Sequence, residues 1–242
     1  MTSTATSTTT STMTDSSAFL YLLQVASASF PIGSFSHSYG LETLTQDGRI
    51  TNAEDLADFA GLWLRYGVAA SEGGAVGLAF QATRGHDFSR LAAVDEVLTA
   101  LKLTRETREA SVKIGHAFLR TVSSTFGWEG VARYRRATLD GCCAGHYATA
   151  FGVAAAEAGV SATEALLAFL HAALSGVVSV ATRIVPLGQL DAQRVLAGAW
   201  PQIDQCAATA LDLDLDHLSA PATVLDVASM RHERLYSRLC MS

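Results

Sequence analysis

The chain has 242 residues, a length that suits one large domain or two small ones and can bury a hydrophobic core. Hydrophobic residues make up 49% and charged residues only 17%, a balance that indicates extra buried surface, such as a subunit interface. The net charge of −6 argues against nucleic-acid binding, because neutralising phosphates needs a broad positive face.

The N-terminal residues 1–17 are almost all serine and threonine. They lack the basic start and apolar core of a secretory signal, so we predict a disordered leader. The cysteines contain no CxxC pair, and adjacent cysteines rarely bridge each other. They are Cys142, Cys143, Cys206 and Cys240. This cysteine usage predicts a reducing, cytoplasmic location.

The composition of the remaining chain favours helices. Prolines occur only at 31, 186, 201 and 221, and the residues between 32 and 185 are rich in Ala, Leu, Glu and Arg. Alternating β-branched runs, which are typical of strands, are nearly absent. We therefore predict an all-α, single-domain bundle of about ten helices over 18–225. The helices are expected near 17–28, 37–47, 51–66, 71–84, 88–101, 104–125, 129–138, 144–158, 161–185, 189–199 and 201–214.

Two helix starts have capping-box spacing, in which a hydroxyl and a carboxylate bond each other's free amide groups. They are Thr51–Glu54 and Ser161–Glu164. The second precedes Ala165–Thr182, eighteen uncharged residues that formally resemble a membrane span. The small and polar residues His171, Ser175 and Gly176 favour a core helix instead. We predict that this helix packs against 144–158, which has a similar Ala/Gly composition, and that the protein has no membrane partner.

A search for catalytic motifs finds no HExxH, no phosphate-binding loop and no GxSxG turn, so we predict no catalytic residues and no enzyme. An alternative is an all-α enzyme with a buried acid–base pair, but the sequence shows no convergent set of titratable residues that would support it. The best metal candidate is Cys142-Cys143-Ala-Gly-His146, whose ligands would share one helix face and suit nickel, copper or zinc. Gly141 and Gly145 weaken a helix there, and buried free cysteine is common, so the structural interpretation is favoured.

A loop at residues 30–42 forms the first candidate docking element. Pro31 and Gly33 favour a tight turn, and Phe35, His37 and Tyr39 then alternate with small residues. One interpretation is a surface loop that offers aromatic anchors to a partner. The alternative is a turn that closes one end of the bundle.

The C-terminal segment, residues 226–242, is the second candidate. Arg231, Arg234 and Arg238 would lie on one face if the segment were helical, beside an apolar stripe of Leu235 and Leu239. A basic amphipathic end on an acidic body predicts docking into another protein, since arginine pairs well with carboxylates. The alternative is an ordinary terminal helix with solvated basic residues.

These segments belong to four blocks that resemble the UreF family of urease accessory proteins. The blocks are PIGSFSHSYGLE (31–42), GHYATAFG (145–152), RIVPLGQ (183–189) and ASMRHERLYSR (228–238). The resemblance extends from about residue 20 to the C-terminus and omits the leader. It implies a non-enzymatic, all-helical homodimer that bridges a UreD-type protein, also called UreH, and the nickel-carrying GTPase UreG. That assembly would act on urease apoprotein, with nickel handled by the complex and no cofactor in this chain.

The resemblance also implies the site residues. Six partner-binding residues lie on the C-terminal motif: Arg231, His232, Glu233, Tyr236, Ser237 and Arg238. Six more lie on the first block: Pro31, Gly33, Phe35, Ser38, Tyr39 and Glu42. The alternative function is a direct nickel-binding metallochaperone, with His232 or the Cys142/Cys143/His146 group as the ligands.

Overall fold

The computed structural model describes residues 14–34 and 37–241, so residues 1–13 of the predicted leader and Phe35 lie outside the described residues. The chain is 74% helical and without strands where it is described, which confirms the predicted all-α class. The N-terminal half contains α1 (Asp15–Val25), α2 (Leu41–Gln46), α3 (Ala53–Leu62), α4 (Gly74–Arg84), α5 (Phe88–Leu101) and α6 (Arg105–Phe126). The C-terminal half contains α7 (Glu129–Leu139), α8 (Tyr147–Ala158), α9 (Ala162–Ile184), α10 (Gln189–Gly198), α11 (Trp200–Leu211) and α12 (Thr223–His232). A π-helix, Trp63–Gly73, joins α3 to α4, and a short 3₁₀ helix, Leu215–His217, follows α11.

The centre of the bundle is the contact between α4 and α8, which pack together more extensively than any other pair of described helices. Gly152 of α8 makes this possible. A Cβ atom at that position would lie 2.5 Å from the Val76 carbonyl oxygen and 2.9 Å from Ala79 Cβ. The Ala/Gly composition of α8 therefore lets two backbones approach closely. Helix α9 also contacts α8, as predicted, but over a smaller surface.

Helix α9 is long and apolar enough to cross a membrane by length and composition. Half of its most apolar window is nevertheless buried inside the protein, where Leu166, Leu170 and Leu174 join the core. Core helices of soluble proteins pass the same composition test, so the burial favours the core-helix interpretation.

Three predicted helix starts can be compared with the structure. The capping box at Ser161 and Glu164 is confirmed in both directions, with the Ser161 hydroxyl accepting from the Glu164 amide. The box predicted at Thr51 is wrong by one residue: Asn52 is the N-cap, and its side chain accepts from the Glu54 and Asp55 amides. Asn52 is the N-cap in place of Thr51 because its side-chain oxygen accepts from two free N–H groups of the first turn. The predicted leader is too long, since Thr14 caps a helix that begins at Asp15.

Candidate partner-docking site

The C-terminal segment does not continue as a helix, and this prediction from the arginine spacing is wrong. Helix α12 ends at His232, after which the Arg234 amide donates to the Arg231 carbonyl and the Leu235 amide to that of His232. These i to i+3 bonds close a turn. Short isolated helices are marginal in water, so a continued helix that packs on nothing would gain little stability. The chain instead folds back onto the body.

Glu42 of α2 is the residue that receives the returning chain. Its side chain is buried, with the residue only 2% exposed. One carboxylate oxygen accepts from the Leu239 amide at 2.7 Å, and the other accepts from the Cys240 amide at 3.0 Å and from His232 Nε2 at 3.0 Å. Burial alone would raise the pKa of Glu42, but these hydrogen bonds outweigh it and hold the pKa below its ordinary value of 4.5.

His232 lies between two carboxylates and is completely buried. Its Nε2 faces Glu42, and its Nδ1 lies 2.8 Å from Oε2 of Glu106 on α6. Each ring nitrogen of His232 therefore faces a carboxylate oxygen from a different helix. His232 therefore ties the end of α12 to both α2 and α6.

Two of the three arginines in the C-terminal segment, Arg231 and Arg238, are paired with acids of this same chain. Arg231 donates to both oxygens of Asp47, at 2.6 Å and 3.0 Å. Arg238 donates to Glu106 at 3.0 Å, and Glu233 accepts from Arg105 at 3.1 Å. These pairs lie near the surface, where solvent screening leaves each of them with little effect on stability. They direct the side chains toward the body and satisfy their charges there.

The first block does not form a loop of exposed aromatic anchors where it is described, and that interpretation is wrong for the residues beyond Phe35. His37 and Ser38 are buried, and the half-buried Tyr39 ring lies 5.5 Å from that of Trp63. Pro31 and Gly33 are exposed. Positive φ angles of 52° and 87° at Tyr39 and Gly40 turn the chain inward to begin α2. Beyond Phe35, the block therefore packs inward and leads into α2.

The two predicted docking elements meet each other in the structure. A Cβ atom at Gly40 would lie 3.1 Å from Ala228 Cβ, so the start of α2 packs directly on α12. The Thr43 hydroxyl donates to the Ala228 carbonyl at 2.9 Å, and Gln46 Nε2 donates to the Ser237 carbonyl at 3.0 Å. Residues that the sequence assigned to two partner-facing surfaces thus form one assembly.

The outward surface of this assembly includes several exposed apolar side chains among its charged ones. Tyr236 is fully exposed, and the Leu239 and Met241 side chains also point into solvent. Val224, Val227 and Met230, at i, i+3 and i+6, expose their side chains on the outer face of α12. The i, i+3, i+6 spacing of this ridge is visible in the sequence, but the predicted docking residues do not include it.

The metal candidate at Cys142–His146 is not assembled. The segment is a loop rather than a helix, because Gly141 and Gly145 adopt φ angles of 76° and 83°. Both ring nitrogens of His146 are engaged, Nε2 at 2.9 Å from the Thr99 hydroxyl and Nδ1 at 3.1 Å from that of Ser111. Across residues 14–34 and 37–241, no group of three or more His, Cys, Asp or Glu side chains is placed to hold a metal ion.

Asp95 holds that loop in place. Like Glu42, it is a buried carboxylate that accepts hydrogen bonds from two backbone amides. It is 1% exposed and accepts from the amides of Gly145 at 2.8 Å and His146 at 2.9 Å, and from the Tyr134 hydroxyl at 2.9 Å. Burial is the main reason why the pKa of His146 is lowered to about 4, although Asp95 acts in the opposite direction. His146 is therefore a neutral core residue.

A second exposed surface is a groove of about 410 Å³ between α1, α9 and α11. Its lining includes Phe19, Leu23 and Trp200, each more than half exposed. Large apolar side chains around a groove are unusual on the surface of a monomer.

Comparison with known proteins identifies what the chain is similar to. The model of the UreF family matches residues 50–199. A urease accessory protein UreF from Actinobacillus pleuropneumoniae is 34% identical over 221 residues, which are 91% of this chain and 97% of the relative. Proteins of the same name from Rhodopseudomonas palustris strain BisA53 and Bacillus sp. strain TB-90 are 36% and 33% identical, covering 94% and 92% of this chain.

Proposed function

Because the chain belongs to the UreF family of urease accessory proteins, we propose that it acts in urease maturation as a non-enzymatic, cytoplasmic scaffold. It would bridge a UreD-type protein and the GTPase UreG, so that nickel reaches the urease apoprotein. The single observation that carries this proposal is the similarity to urease accessory proteins along nearly the whole chain, since 91% of it aligns with a relative of that name.

The C-terminal segment is the proposed docking element for the UreD-type protein. It combines ordered backbone contacts to α2 with outward side chains such as Tyr236 and Leu239. Exposed aromatic and aliphatic residues on an ordered surface are the usual anchors of protein interfaces.

We further propose that the groove between α1, α9 and α11 is the surface through which two copies of the chain form a homodimer. A C2 interface uses the same patch on both copies, so it must offer projections and recesses together. Here Phe19 and Trp200 project beside the groove, while Ala168 lies in its lining.

Direct nickel binding by this chain has no support from the described geometry. Each ring nitrogen of His232 faces a different carboxylate, Glu42 at Nε2 and Glu106 at Nδ1. The three side chains therefore do not surround a common point at which a metal ion could bind. The scaffold role is therefore preferred over the metallochaperone role.

Genetic complementation tests the proposed function. Urease is produced in a bacterial host with its urease genes but without its UreF, and the nickel content and activity of the purified urease are measured. The full chain is expected to restore both, whereas the chain truncated after residue 225 is not. Normal nickel loading with no added chain, or no loading with the full chain and all other accessory proteins present, would contradict the proposal.

A further inference from the structure

The hairpin formed by α6 and α7 concentrates positive charge on a chain that is acidic elsewhere. Residues 110–139, which cover most of α6, the connecting turn and α7, contain one lysine, four arginines and a single acid, Glu129. Their net charge is +4, so the remaining residues of this chain of net charge −6 carry −10. The basic residues of the hairpin are Lys113, Arg120, Arg133, Arg135 and Arg136.

The two helices lie antiparallel, because they are in contact and a turn of only two residues connects them. A Cβ atom at Gly145 would lie 2.8 Å from the His116 ring and 2.9 Å from Cγ2 of Thr138. His116 of α6 and Thr138 of α7 therefore stand at the same level of the hairpin. Helix α8 packs against both helices and covers the inner side of the pair.

Three arginines occupy the outer side of this hairpin at similar height. Arg120 lies one helical turn nearer the connection than the level of His116, which places it beside the middle of α7. Arg133 and Arg136 are exposed there, three residues apart on one face of α7. Leu139 continues the same row and is 65% exposed. We call these four residues the basic ridge: Arg120, Arg133, Arg136 and Leu139.

The charges of the hairpin are not compensated within the part of the chain that the structure describes. No ion pair among residues 14–34 and 37–241 involves a basic side chain of the hairpin. Two acids that contact α7 are engaged otherwise: Glu157 accepts from a backbone amide in the first turn of α7, and Asp95 is buried against the Tyr134 hydroxyl. Arg133 lies over the Phe88 ring, 4.7 Å from its centroid, which orients the guanidinium and leaves its charge in place.

We propose that the basic ridge is a docking surface for an acidic patch on the urease apoprotein. This inference rests on the proposed function, because it assigns a surface to one of the proposed partners. None of the ridge residues belongs to the C-terminal assembly or lines the groove between α1, α9 and α11. The proposed contacts with the UreD-type protein and with a second copy of the chain therefore do not use it.

Among the proposed partners, the urease apoprotein is the one that must bind and then leave once it holds nickel. Exposed charges speed association and contribute less to the lifetime of a complex, so they suit a contact that forms quickly and is released. Leu139 adds one apolar contact to the arginines, and the complementary surface needs carboxylates around an apolar recess.

The distribution of charge favours a protein partner over a polyanion. Nucleic acid and anionic membranes present negative charge over a wide area, and the acidic remainder of this chain would be repelled by them. An acidic patch of limited size on a folded protein meets the ridge alone.

The test combines Arg133→Glu with Arg136→Glu in the full-length chain, assembled with the UreD-type protein and UreG. Binding of this complex to immobilised urease apoprotein is followed by biolayer interferometry at about 50 mM and about 300 mM salt. At the lower salt concentration the double variant is expected to bind about tenfold more weakly than the wild type, mainly through slower association. At the higher concentration the two should approach each other, because screening removes most of the attraction.

Arg65→Glu combined with Arg194→Glu is the matched control. It changes the net charge by the same amount at exposed positions on the π-helix and on α10, and it should bind the apoprotein as the wild type does. Leu139→Ser leaves the charge unchanged. It should weaken binding by a similar factor at both salt concentrations, because the contact that it removes is apolar.

Four results would overturn the inference. The first is equal affinity of the double variant and the wild type at low salt, and the second is an equal loss in the control variant, which would make net charge the cause. The third is failure of the double variant to assemble with the UreD-type protein or UreG, which would assign the ridge to that protein. The fourth is tighter binding of the wild type to heparin than to the apoprotein, with both lost in the double variant, which would make the ridge a polyanion site. These results leave the proposed function standing, whereas a wild-type complex that never binds the apoprotein would contradict that function and the inference with it.

Discussion

Substitution of Gly152 by alanine tests the close packing of α4 on α8. In an open helix, Gly→Ala stabilises by about 0.5–1 kcal/mol because glycine loses more backbone entropy. At Gly152 the added Cβ would lie 2.5 Å from the Val76 carbonyl oxygen and 2.9 Å from Ala79 Cβ. Favourable contacts lie at about 3.5–4.0 Å, so the two helices must separate by roughly 1 Å. Overpacking of this kind costs about 1–3 kcal/mol, which, after the helical gain is subtracted, leaves a net destabilisation of about 0–2.5 kcal/mol.

The assay is urea unfolding followed by far-UV circular dichroism, with Gly176→Ala as the matched control. Gly176 lies in the interior of α9, and a Cβ there would have no atom within 4 Å. The control should therefore gain about 0.5–1 kcal/mol, the ordinary helical benefit. If both variants become more stable by the same amount, the close approach of α4 and α8 is refuted.

Two further predictions concern His146 and the apolar groove. Burial lowers the pKa of His146 to about 4 from an ordinary 6.5, so the unfolded chain binds more protons between these values and stability falls as pH drops through that window. Urea unfolding measures the free energy of unfolding at about pH 7 and about pH 5. The wild type should lose more of this free energy on acidification than His146→Gln does, and equal losses in the two proteins would contradict the pKa shift. Leu23→Glu should reduce the light-scattering mass of the isolated chain from dimer to monomer. Leu139→Glu, at a position on α7 that is no less exposed, should not. A wild-type chain that already has the monomer mass would exclude the proposed homodimer.

The helices were predictable because their signals are local. The structure places α6 at Arg105–Phe126 and α9 at Ala162–Ile184, each within one residue of the predicted bounds. Hydroxyl caps and uninterrupted helix-forming composition lie within a few residues of these ends. Such information needs no knowledge of the rest of the fold.

The arrangement of the candidate site was not predictable in the same way. The contact that folds back the C-terminal segment joins Glu42 to Leu239, which is 197 residues away in the sequence. Helical spacing of the arginines suggested one face, but the acids that pair with Arg231 and Arg238 are Asp47, directly after α2, and Glu106 on α6. The burial of Ser38 likewise depends on tertiary packing. The sequence blocks include segments that the structure brings together, but they did not reveal how those segments are arranged.

The measurement that tests the central claim most directly is light scattering after size-exclusion chromatography. The chain is mixed first with a UreD-type protein and then with UreG and GTP. The scaffold role predicts stepwise growth to a complex that contains two copies of this chain, and loss of that complex when residues 226–242 are deleted. A chain that elutes alone under every condition, or a deleted chain that assembles as well as the wild type, would contradict it.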